Sequence, residues 1–314
     1  GRPLESPSGY AGTKAVLVSP DPEGAHNWYT MAFDPTKGLV YLGARGRSLA
    51  LHAPDPKWES DISTWNLGND PRYEGALGAE LGKSGGPRGE LLAWNPVERR
   101  AAWRVSLPVS QTGGVWATAG NLVFQGRADG MFTGYRASDG KALWNFDAGT
   151  GIMAPAVTYL AQGKQYLTVM VGWGGPMGLM NWPGLGPLKP GYGRILTFAL
   201  GGSAKLNPPV YGHLGPPVPA IRLDTTPAAI REGGFLYGTY CWGCHGLNAI
   251  AGPVPDLRYS TAEVHAQFEA IALGGARKAL GMPAFGDKLN RQQLRAIQAY
   301  VLARAAAAAA VQPH

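Results

Sequence analysis

The sequence predicts an all-β domain of short strands followed by a small all-α domain. Three observations support this prediction. The 314 residues include 46 Gly and 26 Pro without a collagen period, which favours many turns between short strands. A self-comparison detects an internal repeat in the first part of the chain. Beyond residue 222, the spacing of apolar residues changes from about two to about 3.6 residues, as expected of helices.

The composition disfavours several functional classes. Hydrophobic residues make up 45% of the chain, so the chain can bury a core and is not a disordered tail. The net charge of +7 is scattered over the sequence, which disfavours a nucleic-acid role. No apolar run reaches the roughly 18 residues of a membrane-spanning helix. Gly1–Pro3 show neither an initiating Met nor a signal peptide, so we expect a chain that has been processed or cut.

Residues 1–202 have the pattern of an all-β domain. Short apolar runs alternate with clusters of Gly, Asp, Asn and Pro, which is typical of strands joined by turns. The predicted strands are Ala15–Val18, Leu39–Leu42, Leu91–Trp94, Leu122–Phe124, Tyr166–Val171 and Ile195–Leu200.

The internal repeat places Gly89–Val105 over Gly130–Phe146 at a constant offset of 41 residues. Trp94 falls on Tyr135, the basic Arg100 falls on the basic Lys141, and Trp103 falls on Trp144. A repeat of about 40 residues that carries a strand, a turn and a strand is typical of a β-propeller blade. The alternative is a pair of similar hairpins in an ordinary β domain.

A Pro-rich segment separates the β pattern from the helical pattern. Residues 203–222 contain five prolines, which is expected of a semi-rigid extended linker. In residues 223–314, Thr226 and Pro227 form an N-cap and a first helical residue. This pair predicts a helix that continues towards Tyr240.

Two further helices are predicted in the same domain. Ser260 and Glu263 form a capping box, and the helix that follows is expected to end at Gly274. Asn290 with Gln293 begins the third helix, which Ala305–Ala310 can prolong. The domain is therefore predicted to be small and all-α.

The two cysteines of the chain lie in one pentapeptide, Cys241-Trp242-Gly243-Cys244-His245. A disulfide across this spacing would be strained, a zinc site would need a second pair of ligands, and a redox dithiol would not need the adjoining His. Cys-x-x-Cys-His is instead the attachment signature of a c-type haem. Cys241 and Cys244 are thus predicted to form thioether bonds and His245 to be the proximal iron ligand, in a class I cytochrome c domain.

Met282 is the predicted sixth ligand of the haem iron. It lies 37 residues after His245, in a loop that Pro283 constrains between the second and third predicted helices. A thioether ligand favours Fe(II) and raises the reduction potential, which suits electron acceptance. The alternative is a core methionine. His265 falls on the polar side of its helix and is predicted to be a surface residue.

Ala137–Trp144 resembles the tryptophan-docking motif of quinoprotein alcohol dehydrogenases, which are eight-bladed propellers that carry pyrroloquinoline quinone (PQQ). Four further segments match that family, namely Gly24–Trp28, Thr118–Gly126, Gly163–Tyr166 and Gly172–Gly175. A propeller followed by a Pro-rich linker and a cytochrome c domain is the layout of the soluble type II quinohaemoproteins. The resemblance covers practically the whole chain.

The resemblance implies a role for four residues in the quinone pocket. Asn27 and Trp28 would approach the quinone, and Trp173 and Gly174 would line its pocket. An amide can bond quinone oxygens, and an indole can stack on a flat ring. The alternatives are a turn residue for Asn27 and blade-core aromatics for the two tryptophans.

The family's calcium ligands, catalytic aspartate and disulfide of adjacent cysteines precede the matched region, so no catalytic residue is assigned in this chain. Residues 1–202 suffice for four blades at most, which implies an incomplete propeller and a separate N-terminal partner chain, arising from cleavage or a split gene. A self-contained four-bladed propeller is the competing account.

The resemblance implies an enzyme that uses PQQ and calcium together with haem c. Covalent haem attachment needs reduced thiols and haem outside the bacterial cytoplasm, and the sequence shows no membrane segment, so we expect a soluble periplasmic protein. It would oxidise an alcohol at PQQ and pass the electrons to haem c and then to an external acceptor such as a small copper protein, a cytochrome or a quinone. The rival is a non-catalytic electron-transfer cytochrome c fused to a small β-propeller interaction domain.

Overall fold

The computed structural model describes residues 16–18, 20, 24–46, 50–52, 54–59, 68, 88–110, 112–173, 193–207, 217, 219–223, 226–250 and 254–310. The described strands lie in one compact unit and the described helices in a second. The predicted fold class, a β part with propeller-like sheets and a small helical part, is confirmed. The bounds 1–202, 203–222 and 223–314 stay a prediction.

The β unit consists of successive antiparallel sheets. Its described strands are β1 (Val16–Val18), β2 (Ala32–Asp34), β3 (Leu39–Arg45), β4 (Ala50–His52), β5 (Gly89–Asn95), β6 (Arg100–Leu107), β7 (Thr112–Thr118), β8 (Leu122–Arg127), β9 (Met131–Arg136), β10 (Ala142–Asp147), β11 (Ala156–Ala161), β12 (Lys164–Val171) and β13 (Arg194–Ala199). The first sheet has the order β2-β3-β5-β6, the second β7-β8-β9-β10 and the third β11-β12-β13, while β1 pairs with β4.

The 41-residue repeat corresponds to the same strand register in two neighbouring sheets. Trp103 on β6 pairs with Ala93 on β5, and Trp144 on β10 pairs with Gly134 on β9. Both hairpins also contain a register shift close to these pairs. Each hairpin therefore forms the outer half of its own four-stranded sheet, as expected of two propeller blades.

The sheets pack face to face in chain order. Residues of the first sheet, including Leu39, Tyr41 and Leu91, share an apolar cluster with Val123 and Tyr135 of the second. A further cluster joins the second sheet to the third. Each sheet thus buries one face against the next, which is the layered arrangement of propeller blades.

Trp103 docks against the second sheet through a hydrogen bond. Its Nε1 donates to the carbonyl oxygen of Ala137 at 3.0 Å, and the Tyr41 hydroxyl donates to the same oxygen at 3.0 Å. Gly140 lies beside the indole with φ +74°, and a Cβ there would lie 2.7 Å from the ring. Glycine is therefore required at this position both by the backbone angle and by the docked indole.

The helical unit contains α1 (Pro227–Tyr240), α2 (Trp242–His245), α3 (Ala262–Ala266), α4 (Phe268–Ala272) and α5 (Arg291–Ala310), with 3₁₀ turns at Leu247–Ala249, Leu257–Tyr259 and Lys278–Leu280. The Thr226 side chain accepts a hydrogen bond from the Ala229 N–H, which confirms the predicted N-cap. Asn290 and Gln293 bond each other's backbone N–H groups at 3.0 and 2.9 Å. The second capping box is therefore confirmed, and α5 continues through Ala310.

The second predicted helix is wrong in two details. The chain forms two short helices, α3 and α4, separated at Gln267, and Thr261 rather than Ser260 is the N-cap. Ser260 ends the preceding 3₁₀ turn, where its N–H bonds the Leu257 carbonyl oxygen at 3.1 Å. Because its backbone belongs to that turn, the cap moves one residue along, and Thr261 Oγ1 accepts from Val264 N–H.

Helices α1 and α5 pack closely at a glycine. A Cβ on Gly233 would overlap the carbonyl group of Ala296. Around this contact, Leu236, Tyr237 and Ile297 belong to the apolar core of the unit. Among the helices in the described part of the chain, none combines the length and mean hydropathy that crossing a membrane requires.

Candidate functional site

The predicted haem-attachment pentapeptide lies at the junction of α1 and α2. Cys241 ends α1, and its N–H bonds the Tyr237 carbonyl oxygen at 2.9 Å. The His245 N–H bonds the Cys241 carbonyl oxygen at 2.9 Å, which closes one helical turn around the motif. Both cysteines carry free thiols. The turn therefore brings two thiols and an imidazole together on one short segment.

The imidazole of His245 is oriented by a backbone carbonyl group. Its Nδ1 lies 3.0 Å from the carbonyl oxygen of Pro255. Since a carbonyl oxygen can only accept, Nδ1 carries the proton and Nε2 presents its lone pair. Burial lowers the pKa of His245, and this favours the neutral form that binds metals. Orientation by an outer hydrogen bond is usual for a metal-ligating histidine.

Tyr237 supports the same turn from the core. Its hydroxyl lies 3.0 Å from the carbonyl oxygen of His245 and 2.7 Å from that of Gly246, to which it donates. Tyr237 is buried, and burial raises the pKa of its hydroxyl, which stays protonated as a donor. Sequence reasoning missed both Tyr237 and Pro255, because their roles depend on contacts that become visible only in the folded chain.

The surroundings of Cys241 fit a covalently attached haem. Cys241 and Trp242 pack against an apolar cluster that includes Leu236 and Phe285. Burial and the neighbouring Cys244 raise the pKa of the Cys241 thiol to about 12. Within the described residues, no three His, Cys, Asp or Glu side chains form a group that could hold a bare metal ion. Two thiols, one oriented imidazole and an apolar surface together suit a porphyrin with iron rather than a zinc ion.

Met282 lies in a loop that backbone hydrogen bonds hold on both sides. Its N–H bonds the Arg277 carbonyl oxygen at 3.3 Å, and the Phe285 N–H bonds the Ala272 carbonyl oxygen at 2.8 Å. Its side chain is half-buried, and Met282 is the single methionine of residues 223–314. Iron ligation by Met282 stays a prediction.

The prediction that His265 lies on the surface is wrong. The residue is 5% exposed and stacks on Phe268. Gln298 Nε2 donates to its carbonyl oxygen at 3.0 Å and lies 3.3 Å from its Nδ1. The helix presents His265 to α5 rather than to solvent, and burial lowers the pKa of the imidazole.

The predicted quinone-pocket residues differ in exposure. Trp28 is 76% exposed and stacks on Tyr29 with ring centroids 4.9 Å apart, while the Asn27 side chain accepts from the Trp28 N–H. Trp173 is buried at 8% exposure against Gly151, where a Cβ would lie 2.6 Å from the indole. Gly174 lies outside the described residues.

The starts of β2, β7 and β11 meet at one end of the three sheets. The Val115 N–H bonds the Thr30 carbonyl oxygen at 2.9 Å, and a Cβ on Gly114 would lie 2.9 Å from Pro155. Asn27 and Trp28 lie three and two residues before Thr30. Trp173 follows the end of β12, which lies beside the start of β11 because these strands are antiparallel. The tryptophans predicted for the quinone pocket therefore lie at the same end of the sheets.

Comparisons with known proteins match both units. A model described as cytochrome C oxidase, cbb3-type, subunit III matches residues 228–301, and the glucose/ethanol/alcohol dehydrogenase β-propeller model matches residues 86–167. The quinohemoprotein alcohol dehydrogenase ADH IIB of Pseudomonas putida is 38% identical over 97% of this chain and 44% of its own length.

Two solved structures are also similar. The quinohemoprotein alcohol dehydrogenase ADHIIG from Pseudomonas putida HK5 has a TM-score of 0.77 and 39% identity, covering 93% of this chain and 43% of that one. The enzyme from Comamonas testosteroni has a TM-score of 0.74 and 33% identity, covering 100% and 45%. These matches confirm the resemblance drawn from the sequence. The chain spans less than half the length of the relatives it matches.

Proposed function

We propose that this chain, which is similar over nearly its whole length to part of the quinohaemoprotein alcohol dehydrogenases, acts in the PQQ-dependent oxidation of an alcohol. It supplies the haem relay and part of the quinone pocket. The observation that carries this proposal is the oriented His245 beside two free thiols, in a chain whose other unit has propeller blades.

The helical unit holds the haem through its own side chains. Cys241 and Cys244 would form the thioether bonds, and Nε2 of His245 would bind the iron, with the imidazole oriented by the Pro255 carbonyl group. Met282, in its constrained loop, would be the second protein ligand of the iron. When bound, PQQ would supply two-electron chemistry for the alcohol, and haem c would supply single-electron transfer to an external acceptor. The apolar cluster around Cys241 would exclude water from the attached haem.

The β unit contributes one side of the quinone pocket. The exposed indole of Trp28 offers a flat face for stacking, and its neighbour Asn27 supplies an amide for hydrogen bonds. Trp173, packed against Gly151, forms a rigid wall, and Gly174 is the fourth residue that we propose for this pocket. The catalytic aspartate and the calcium ligands come from blades outside this chain.

Exposed apolar residues on the first and third sheets support the proposal that a partner chain supplies further blades. On the third sheet, Val157, Met170 and Ile195 are exposed, and so are Met31 and Phe33 at β2 of the first sheet. Contiguous apolar faces of this kind are normally covered. We infer that an N-terminal partner chain supplies the adjoining blades and completes an eight-bladed ring with residues 1–202.

The proposed location is the periplasm, since haem is attached to reduced thiols outside the bacterial cytoplasm. The electron acceptor is a small copper protein, a cytochrome or a quinone. Residues 203–222 link the propeller part to the cytochrome c part, residues 223–314. Fractionation that finds the haem-loaded chain in the cytosol would contradict the location.

The first experiment combines the chain with its partner half, PQQ and calcium, and follows reduction of the haem after addition of an alcohol. We expect alcohol-dependent reduction that requires both cofactors. If the chain carries haem but neither retains PQQ nor reduces its haem, the non-catalytic electron-transfer cytochrome is the correct interpretation.

A second experiment tests the iron ligand. The oxidised protein is expected to show a thioether-to-Fe(III) absorption band that Met282→Ala abolishes, with a lower reduction potential. Met170→Ala, on the exposed face of β12, is the matched control and leaves the band unchanged. A band that persists in Met282→Ala would show that another residue binds the iron.

A further inference from the structure

The helical unit contains a cavity of about 510 Å³. It lies between the C-terminal part of α5, the 3₁₀ turn Leu257–Tyr259 and the residues that follow α2. Its lining includes Asn248, Ile250, Arg258, Tyr259, Arg304 and Ala307. The volume falls within the roughly 300–1,000 Å³ that is usual for small-ligand pockets. The four haem residues predicted above are not among the described residues of the lining.

The two arginines of this cavity differ in their pairing. Arg258 forms a two-point ion pair with Asp256, with its Nε 3.0 Å from Oδ1 and an Nη 2.6 Å from Oδ2. Arg304 lies over the Tyr300 ring, with its guanidinium carbon 5.4 Å from the centroid. Its Nε is buried and has no hydrogen-bond partner within the described part of the chain. A buried donor without an acceptor is unfavourable, so a ligand that accepts a hydrogen bond from Arg304 would be stabilised in this cavity.

The charge of the cavity selects the class of ligand. Asp256 neutralises Arg258, so Arg304 carries the remaining positive charge among the described residues of the lining. The planar guanidinium matches a carboxylate in two-point geometry. Ile250 and Ala307 add an apolar wall beside it. A dianion would bring a second negative charge towards the carboxylate of Asp256, which pairs with the lining residue Arg258, and this favours a monoanion.

We propose that this cavity binds a small organic monocarboxylate. Its carboxylate group accepts from Arg304, and its apolar part packs against Ile250 and Ala307. The proposal is independent of the alcohol dehydrogenase function, because it rests on residues that play no part in haem attachment or in the quinone pocket.

Calorimetric titration of the haem-loaded chain with benzoate tests the proposal. Benzamide, a neutral molecule of the same shape, is expected to bind at least about tenfold more weakly, and acetate, which lacks the ring, is also expected to bind more weakly. Arg304→Gln is expected to lower benzoate affinity at least about tenfold. Arg295→Gln removes the same charge from an exposed position of α5 and leaves the affinity unchanged.

A second pair of variants keeps the test decisive if Arg304→Gln does not fold. Ala307 lines the cavity and is exposed, so Ala307→Glu places a carboxylate there without disturbing the core. It is expected to weaken benzoate binding, whereas Ala306→Glu, one position away and outside the lining, has a smaller effect. Absence of benzoate binding, equal affinity for benzamide, or unchanged affinity in Arg304→Gln or Ala307→Glu would each overturn the proposal.

Discussion

Replacing Gly233 with Ala is expected to destabilise the helical unit through the contact between α1 and α5. The new Cβ would overlap the Ala296 carbonyl group and lie 3.0 Å from the Ile297 nitrogen. These are backbone atoms of a buried helix, so no side-chain rotation can relieve the contact. The helices must move apart, and Leu236 and Tyr237 beside the contact lose packing.

Two opposing effects determine how much Gly233→Ala changes the free energy of unfolding. Alanine is the better helix former and contributes about 1 kcal/mol in favour of the variant. Inserting a methyl group into a close-packed core costs ~1–3 kcal/mol, and the overlap with backbone atoms of α5 places Gly233 at or beyond the upper end. We therefore expect the free energy of unfolding to fall by about 2 kcal/mol.

Gly234→Ala is the matched control, since it makes the same substitution one residue further along α1. Its Cβ would lie 3.2 Å from the Tyr300 ring, a side chain that can shift by a few tenths of an ångström. The gain in helix propensity then offsets the crowding, and the change stays within about 1 kcal/mol. Urea denaturation of the haem-loaded chain, followed by far-UV circular dichroism, measures both variants. Equal stability of the two variants would refute the reasoning.

Three further predictions concern other contacts. Tyr237→Phe removes the hydroxyl that donates to the turn of the haem motif and is expected to cost about 1–2 kcal/mol in urea denaturation. Trp103→Phe removes an indole hydrogen bond to the second sheet. Within the described residues, Trp144 makes ring contacts but no such hydrogen bond, so Trp103→Phe is expected to lower the thermal midpoint of the β unit more than Trp144→Phe does. Burial lowers the pKa of His265 below its ordinary 6.5, so the folded chain binds fewer protons than the unfolded chain. The contribution of His265 to the free energy of unfolding should therefore be constant above that pH and fall below it. His265→Gln should reduce the fall in stability in a pH series, and an identical fall in both proteins would contradict the assignment.

Short-range signals in the sequence were sufficient for the haem motif and for most helix starts. Thr226 and Asn290 cap their helices as predicted, because a cap depends on residues three positions apart. Cys241, Cys244 and His245 are likewise brought together by one helical turn. The N-cap was predicted at Ser260 but lies at Thr261, because the backbone of Ser260 belongs to the preceding 3₁₀ turn.

Apolar runs in the sequence predicted some of the observed strands and missed others. Each predicted run coincides with an observed strand where its residues are described, although Leu200 lies just beyond β13. Strands β2, β4, β6, β7, β9, β10 and β11 were not predicted as apolar runs. Of these, the repeat indicated β6, β9 and β10. In β6, exposed and half-buried residues alternate, so the strand carries no continuous apolar run.

The sequence by itself determined the two-part fold class, the covalent haem signature and the 41-residue repeat, since each is encoded in local spacing. Only the tertiary structure decided which partners these residues meet. Trp103 reaches Ala137 across 34 residues, and His265 is buried by Gln298 across 33. Trp28 is exposed and Trp173 buried, although both are indoles beside a strand. Burial and hydrogen-bond partners depend on which distant segments pack against a residue, and no local pattern contains that information.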